Sequence, residues 1–160
     1  MSSVFQTVWE FFPGPLLQRP RKLQIGALCH RGDGSDREYL LVTSRDTGRW
    51  IIPKGWPIRG LKSQETALRE AWEEAGVTGS KVVDEPIGLY TYDKQHDTGW
   101  ATPVETLVYS VAVGGLMSAF PEAHERRRVW VDAATAAEMV QEEELKQIFL
   151  REHANNTGQS

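Results

Sequence analysis

The 160-residue sequence contains a single cysteine, Cys29, so no disulfide can form within the chain. No apolar run approaches the about 18 residues that a membrane-spanning helix requires. The N-terminus also shows no basic segment followed by an apolar run and a cleavage site, as a secretory signal would. These absences exclude a disulfide-held fold, and we expect a cytoplasmic protein with no membrane partner.

The sequence also lacks an excess of positive charge. Its 18 lysines and arginines stand against 22 aspartates and glutamates, giving a net charge of -4. Nucleic-acid-binding domains usually carry a basic footprint, so we do not expect nucleic acid as a partner. A small acidic substrate is compatible with this charge if the basic residues are concentrated locally.

The length and composition predict one globular domain, with 40% hydrophobic and 25% charged residues. Residues 1–20 mix aromatic residues with three prolines and are predicted to form an N-terminal arm. This arm either packs on the domain or makes a dimer contact, so a monomer and a homodimer both stay open. We expect the domain over residues 21–153 and a flexible tail over residues 154–160.

Hydrophobic periodicity and turn residues predict the elements. We expect strands over Leu23–His30, Glu38–Ser44, Trp50–Ile52, Lys81–Tyr92, Val104–Val113 and Arg128–Val131. The first two form a hairpin across a turn-rich segment. We expect helices over Ser63–Ala75, Ala133–Met139 and Glu142–His153, with Ser63 as the first helix's cap and Gly76 as its stop. Strands around an internal helix, followed by helices, indicate an α/β fold with a mixed sheet.

The first predicted helix carries three glutamates on one face. With about 100° between successive residues, Glu70, Glu73 and Glu74 cluster opposite an apolar side that contains Trp72. Like charges at this spacing destabilise an isolated helix, and no lysine or arginine lies among them. One interpretation is a solvent-exposed acidic face without a function of its own. A divalent cation is the functional alternative, and oxygen ligands of this kind favour Mg²⁺ or Mn²⁺.

The stretch Gly55–Val77, GWPIRGLKSQETALREAWEEAGV, resembles the Nudix box, G-x5-E-x7-R-E-U-x-E-E-x-G-U, in which U is apolar. Gly55 matches its first glycine, and the second half matches in order at Arg69, Glu70, Ala71, Glu73, Glu74, Gly76 and Val77. Leu61 stands where the family has its first glutamate. The segments TSRDTGRWIIPKG and RRRVWV further resemble diphosphoinositol polyphosphate phosphohydrolases and related diadenosine polyphosphate hydrolases. The resemblance implies the Nudix fold, a mixed β-sheet sandwiched between helices (α/β/α), and pyrophosphohydrolase activity.

The resemblance also implies roles for individual residues. Glu70 and Glu74 resemble metal ligands, and Glu73 resembles the general base, with a possible metal contact of its own. Arg69 resembles the arginine that braces the acidic cluster, and the backbone near Lys54 is expected to reach the metal. Because Leu61 lacks a carboxylate, one further metal contact is lost and we expect altered metal binding.

A polyphosphate substrate needs positive charge and hydrogen-bond donors near the metal. Arginine suits this role because it clamps phosphate oxygens with two hydrogen bonds. For each candidate, a solvated surface position is the alternative. The predicted substrate-binding residues are Arg21, Lys22, Ser44, Arg45, Arg49, Lys54, Gly55, Lys94 and Arg127.

Three functions follow from the sequence. The leading one is a Mg²⁺- or Mn²⁺-dependent hydrolase that cleaves a phosphoanhydride of a small nucleoside- or inositol-type polyphosphate. The second, motivated by Leu61, is a catalytically weak module that binds phosphate ligands. The third is an RNA 5′-end pyrophosphohydrolase, which the absence of a basic stripe disfavours.

Overall fold

A computed structural model of the chain describes residues 22–158. The predicted N-terminal arm, Arg21 and the last two residues of the predicted tail lie outside the described residues. Among those described, no helix has the length and apolar character needed to cross a membrane.

Three helices and ten strands are formed by the described residues. The helices are α1 (Ser63–Ala75), α2 (Ala133–Met139) and α3 (Glu143–Thr157). The longer strands are β1 (Lys22–Arg31), β2 (Glu38–Thr43), β7 (Gly88–Gln95), β8 (Ala101–Ala112) and β10 (Arg128–Val131). The two-residue strands are β3 (Trp50–Ile51), β4 (Lys54–Gly55), β5 (Val77–Thr78), β6 (Lys81–Val82) and β9 (Gly115–Leu116).

The main sheet is mixed and has eight strands, with β10, β2, β1, β8 and β6 as its central path. Strands β1 and β8 run parallel over their length, while the β1–β2 hairpin is antiparallel, as the sequence predicted. Strand β4 pairs with β1, so that Gly55 lies opposite Ile25. This pairing brings the loop before α1 to the centre of the sheet.

The two faces of the sheet are covered by different helices. Because strand side chains alternate between faces, Ile25 and Ala27 of β1 pack with Ala71 of α1, whereas Leu28 packs with Phe149 of α3. All five of these side chains are buried. The sheet therefore lies between helices, and the predicted α/β/α layering is confirmed.

Cys29 belongs to the core on the α1 face and is completely buried. Burial raises the pKa of its thiol to about 12, because a thiolate would lose its hydration there. A buried, neutral thiol of this kind acts as a packing residue of β1.

Apart from shifts of one to three residues at the ends of strands, the structure corrects three predictions. The strand predicted over Lys81–Tyr92 is two strands, separated by a segment that contains Pro86, which has no N–H to donate to a sheet. The tail predicted from residue 154 is helical up to Thr157, where Asn156 donates a hydrogen bond to the Tyr39 hydroxyl at 3.1 Å. Ser63 is the first residue of α1 rather than its cap, and Lys62 occupies the cap position.

Candidate active site

Helix α1 directs two of its glutamates at the backbone of β4. The backbone N–H of Lys54 donates to Glu74 Oε2 at 3.0 Å. At Gly55, a Cβ atom would lie 2.3 Å from Glu70 Cδ, so the Glu70 carboxylate occupies the space that any other side chain would fill. The first glycine of the box is therefore required by the position of Glu70.

The Glu70 and Glu74 carboxylates are close enough to each other for a side-chain hydrogen bond. Burial and the neighbouring Glu73 carboxylate raise the pKa of Glu70. Burial likewise raises the pKa of Glu74, against the opposing effects of Arg126 and Lys54. Two carboxylates in contact at a poorly hydrated position need added positive charge, so this donor set fits a hard divalent cation.

Glu73 does not join the other two in a ligand cluster. Among residues 22–158, no three aspartate, glutamate, histidine or cysteine side chains are arranged to hold one metal ion. Glu73 lies about 100° around the helix from Glu74, and only Glu74 is drawn into the cleft by Lys54 N–H and Arg126. The structure thus brings Glu70 and Glu74 together, and the metal contact predicted for Glu73 stays a prediction.

The arginine in contact with the acidic cluster is Arg126, whereas the role predicted for Arg69 stays a prediction. The Arg126 side chain is 6% exposed, and its Nη2 lies 2.7 Å from Glu74 Oε1 and 2.8 Å from Glu122 Oε1. Its Nη1 also donates to the Thr43 carbonyl at 2.9 Å. Arg69 is exposed and makes no ion pair with any residue that the structure describes. Arg69 extends from the solvent-facing side of α1, so it does not contact the buried Glu74 carboxylate.

The other two residues of the basic run RRR have different roles. Arg128 Nη1 donates to the Ala75 carbonyl at 2.9 Å and so satisfies the C-terminal end of α1. Gly76 ends this helix with a φ of 73°, as predicted from the sequence. Arg127, predicted to bind substrate, is exposed, and its guanidinium lies 5.9 Å from the centre of the Trp50 ring. It lines neither of the cavities described below.

Two adjoining cavities open beside the carboxylates. The carboxylate cavity, of about 270 Å³, is lined by both metal-ligand candidates and by five of the predicted substrate residues. Those five are Ser44, Arg45, Lys54, Gly55 and Lys94. The second cavity, of about 590 Å³, shares Ser44, Lys54 and Lys94 with the first and adds Arg49. Lys22 lines neither cavity, and its Nζ lies 5.9 Å from the centre of the Trp56 ring.

The basic residues at these cavities are partly neutralised. Arg45 lies 3.5 Å from Glu122 and 3.6 Å from Glu125, in pairs that solvent weakens. Arg49 is paired with Glu142. Lys54 Nζ lies 4.8 Å from the centre of the Tyr92 ring, and burial lowers the pKa of its ammonium group to about 8.

The sequence-based prediction missed three residues at the site: Arg126 as the brace, Glu122 beside it and Glu142 beside Arg49. Glu122 lines the carboxylate cavity and its backbone N–H donates to the Glu73 carbonyl at 3.0 Å. The run of three arginines was a signal for one buried member, but it did not tell which one. Nothing local to Glu122 or Glu142 distinguishes them from surface glutamates.

The NUDIX domain family model matches residues 20–151. Nudix hydrolase 21, chloroplastic, of Arabidopsis thaliana is 33% identical over 110 residues, covering 68% of this chain and 52% of that protein. Human diphosphoinositol polyphosphate phosphohydrolase 3-beta is 29% identical over 128 residues, covering 75% of this chain and 70% of that protein. The chain thus spans about half the length of the first relative.

Solved structures confirm the fold. A Caenorhabditis elegans Ap4A hydrolase binary complex superposes with a TM-score of 0.60 at 19% identity, covering 84% of this chain and 96% of that one. The family match extends over most of the chain and includes the box that holds Glu70 and Glu74 against Gly55. The chain belongs to the NUDIX domain family.

Proposed function

We propose that this protein is a metal-dependent hydrolase that cleaves a phosphoanhydride bond in a small nucleoside- or inositol-type polyphosphate. The observation that supports it most is the pair Glu70 and Glu74, held in contact with each other against the backbone of Lys54 and Gly55. This pair borders a cavity with basic and hydroxyl-bearing residues. Family membership and the names of the relatives support the same class of enzyme.

Glu70 and Glu74 would hold the cation, Mg²⁺ or Mn²⁺. When bound, such an ion polarises a phosphoryl oxygen and lowers the pKa of water. Arg126 favours the ionised form of Glu74, against the effect of burial on its pKa, and would orient the carboxylate through its 2.7 Å contact. Arg45, Lys94 and Ser44 line the cavity and would bind the phosphate oxygens.

Glu73 would accept the proton of the attacking water. The water oxygen forms a bond to one phosphorus, the bridging P–O bond breaks, and the bridging oxygen leaves with the second phosphate. The Glu73 side chain makes no hydrogen bond or ion pair with the residues that the structure describes, so it is free to take this proton. General-base catalysis of this kind contributes about 10²- to 10⁴-fold.

The test is a substrate panel in Mg²⁺ and Mn²⁺ with released products measured. The panel contains diadenosine polyphosphates, a diphosphoinositol polyphosphate, nucleotide sugars and triphosphorylated RNA. We expect turnover of at least one small substrate, and a kcat lower by at least about 100-fold in Glu73→Gln. Glu65→Gln, the same change at an exposed position of α1, is the matched control and keeps the full rate.

Three outcomes would contradict all or part of this proposal. Full activity of Glu73→Gln would remove Glu73 as the base. Tight binding of phosphate ligands without turnover of any substrate would favour the binding module suggested by Leu61. Turnover of RNA alone would favour the RNA-end activity.

A further inference from the structure

The second cavity lies directly next to the carboxylate cavity and is large enough for one half of a substrate. Its volume of about 590 Å³ falls within the range of small-molecule sites, and Ser44, Lys54 and Lys94 line both cavities. A phosphoanhydride bound at Glu70 and Glu74 would therefore extend one of its two substituents into the second cavity.

The charge of the second cavity is balanced. Arg49, Lys54 and Lys94 face Asp46, Asp93 and Glu142 along its lining. Two of its three cations already have partners, since Arg49 is paired with Glu142 and Lys54 interacts with Glu74. A densely phosphorylated ring would need a surplus of positive charge that these residues do not provide.

Glu142 is the unusual residue in this lining. Its side chain is 5% exposed, and one carboxylate oxygen is bound by Arg49. Its other oxygen, Oε2, is buried and has no hydrogen-bond partner among the described residues. Although Glu142 occupies the cap position of α3, its side chain makes no capping hydrogen bond. A buried acceptor without a donor is costly, so a retained one calls for a ligand that supplies the donor.

We propose that Glu142, directly and through Arg49, determines which group the second cavity accepts. The accepted group is uncharged and bears hydroxyls, as a nucleoside or a sugar does. A ligand hydroxyl donates to the Glu142 carboxylate, whereas phosphates on an inositol ring meet its negative charge and find Arg49 occupied. A site built to receive a hydrogen bond from a substrate hydroxyl discriminates strongly against a ligand that cannot donate it. This inference rests on the proposed function, because it concerns the second half of that substrate.

The test compares kcat/KM for a diadenosine polyphosphate, a nucleotide sugar and a diphosphoinositol polyphosphate. We expect the wild-type protein to prefer the first two, and their relative rates tell whether a nucleoside or a sugar suits the cavity better. In Glu142→Gln the negative charge is removed and Arg49 is no longer neutralised, so we expect the ratio to move toward the inositol substrate by at least about tenfold. Glu138→Gln, the same change at an exposed position of α2, leaves the ratio unchanged.

A purely structural role for Glu142 would lower all three kcat/KM values together and leave their ratio constant, which would overturn the proposal. A wild-type preference for the inositol substrate would overturn it as well. If no substrate is turned over, calorimetry on the wild-type protein decides, with ADP-ribose and inositol hexakisphosphate as probes. Tighter binding of ADP-ribose supports the proposal and tighter binding of inositol hexakisphosphate contradicts it, whether or not the chain is a hydrolase or the variant folds.

Discussion

Two arginine–glutamate pairs lie at the two cavities, and they differ in how completely their polar atoms are satisfied. Arg126 donates to Glu74, Glu122 and the Thr43 carbonyl, while Glu74 receives a second hydrogen bond from Lys54 N–H. In the other pair, Arg49 binds one oxygen of Glu142 and leaves Oε2 without a partner among the described residues. A fully satisfied network holds its side chains in one geometry. In the second pair, Oε2 of Glu142 is the acceptor that we propose for the ligand hydroxyl.

The largest expected effect follows from breaking the Arg126–Glu74 pair. Arg126→Ala leaves the Glu74 carboxylate, 4% exposed, without its main counter-charge. Removal of one partner of a buried ion pair costs about 3–5 kcal/mol, and we expect the free energy of unfolding to fall by about 3 kcal/mol in urea denaturation. Activity falls with it, because Glu74 loses its orientation. A loss below about 1 kcal/mol would mean that Arg126 is not the brace.

The second expected effect is a loss of activity that arises at the carboxylate cavity alone. Gly55→Ala would place its Cβ against the Glu70 carboxylate without touching Glu142. A displacement of about 1 Å at a reacting group can lower kcat about 100-fold, and we expect this loss for every substrate alike. In the Glu70→Ala background the clash is gone, so Gly55→Ala should add little. A full additional loss in the double variant would show that Gly55 acts by another route.

The smallest expected effect concerns the arginine that the box pattern selects. Arg69→Ala removes an exposed side chain without an ion pair among residues 22–158. We expect the free energy of unfolding to change by no more than about 0.5 kcal/mol and kcat/KM to stay within about twofold. Equal losses in Arg69→Ala and Arg126→Ala would restore Arg69 as the brace.

The local part of the fold was predictable from the sequence. The bounds of α1 and its stop at Gly76 follow from helical periodicity and from the left-handed conformation that glycine adopts readily. The two-residue strands β4, β5 and β9 carry no local signal, because they exist only through pairing with distant residues. Propensity also could not show that Glu142 would be buried beside Arg49, which lies 93 positions away.

Contacts between residues distant in sequence also limited the prediction of the candidate site. Glu70 and Glu74 are one turn apart on one helix, so their proximity follows from geometry alone. The choice between Arg69 and Arg126 does not, because Arg126 reaches Glu74 only after β10 has paired with β2. The sequence could therefore predict the carboxylates, while the residues that orient them required the structure.

The most direct test of the central claim is hydrolysis in ¹⁸O-labelled water with Mg²⁺, with the products examined by mass spectrometry. Attack of water on phosphorus places one ¹⁸O atom in one phosphate product. We also predict loss of this turnover in Glu74→Gln, while Glu65→Gln matches the wild-type protein. Unlabelled phosphate products, or an undiminished rate in Glu74→Gln, would contradict hydrolysis at the Glu70–Glu74 pair.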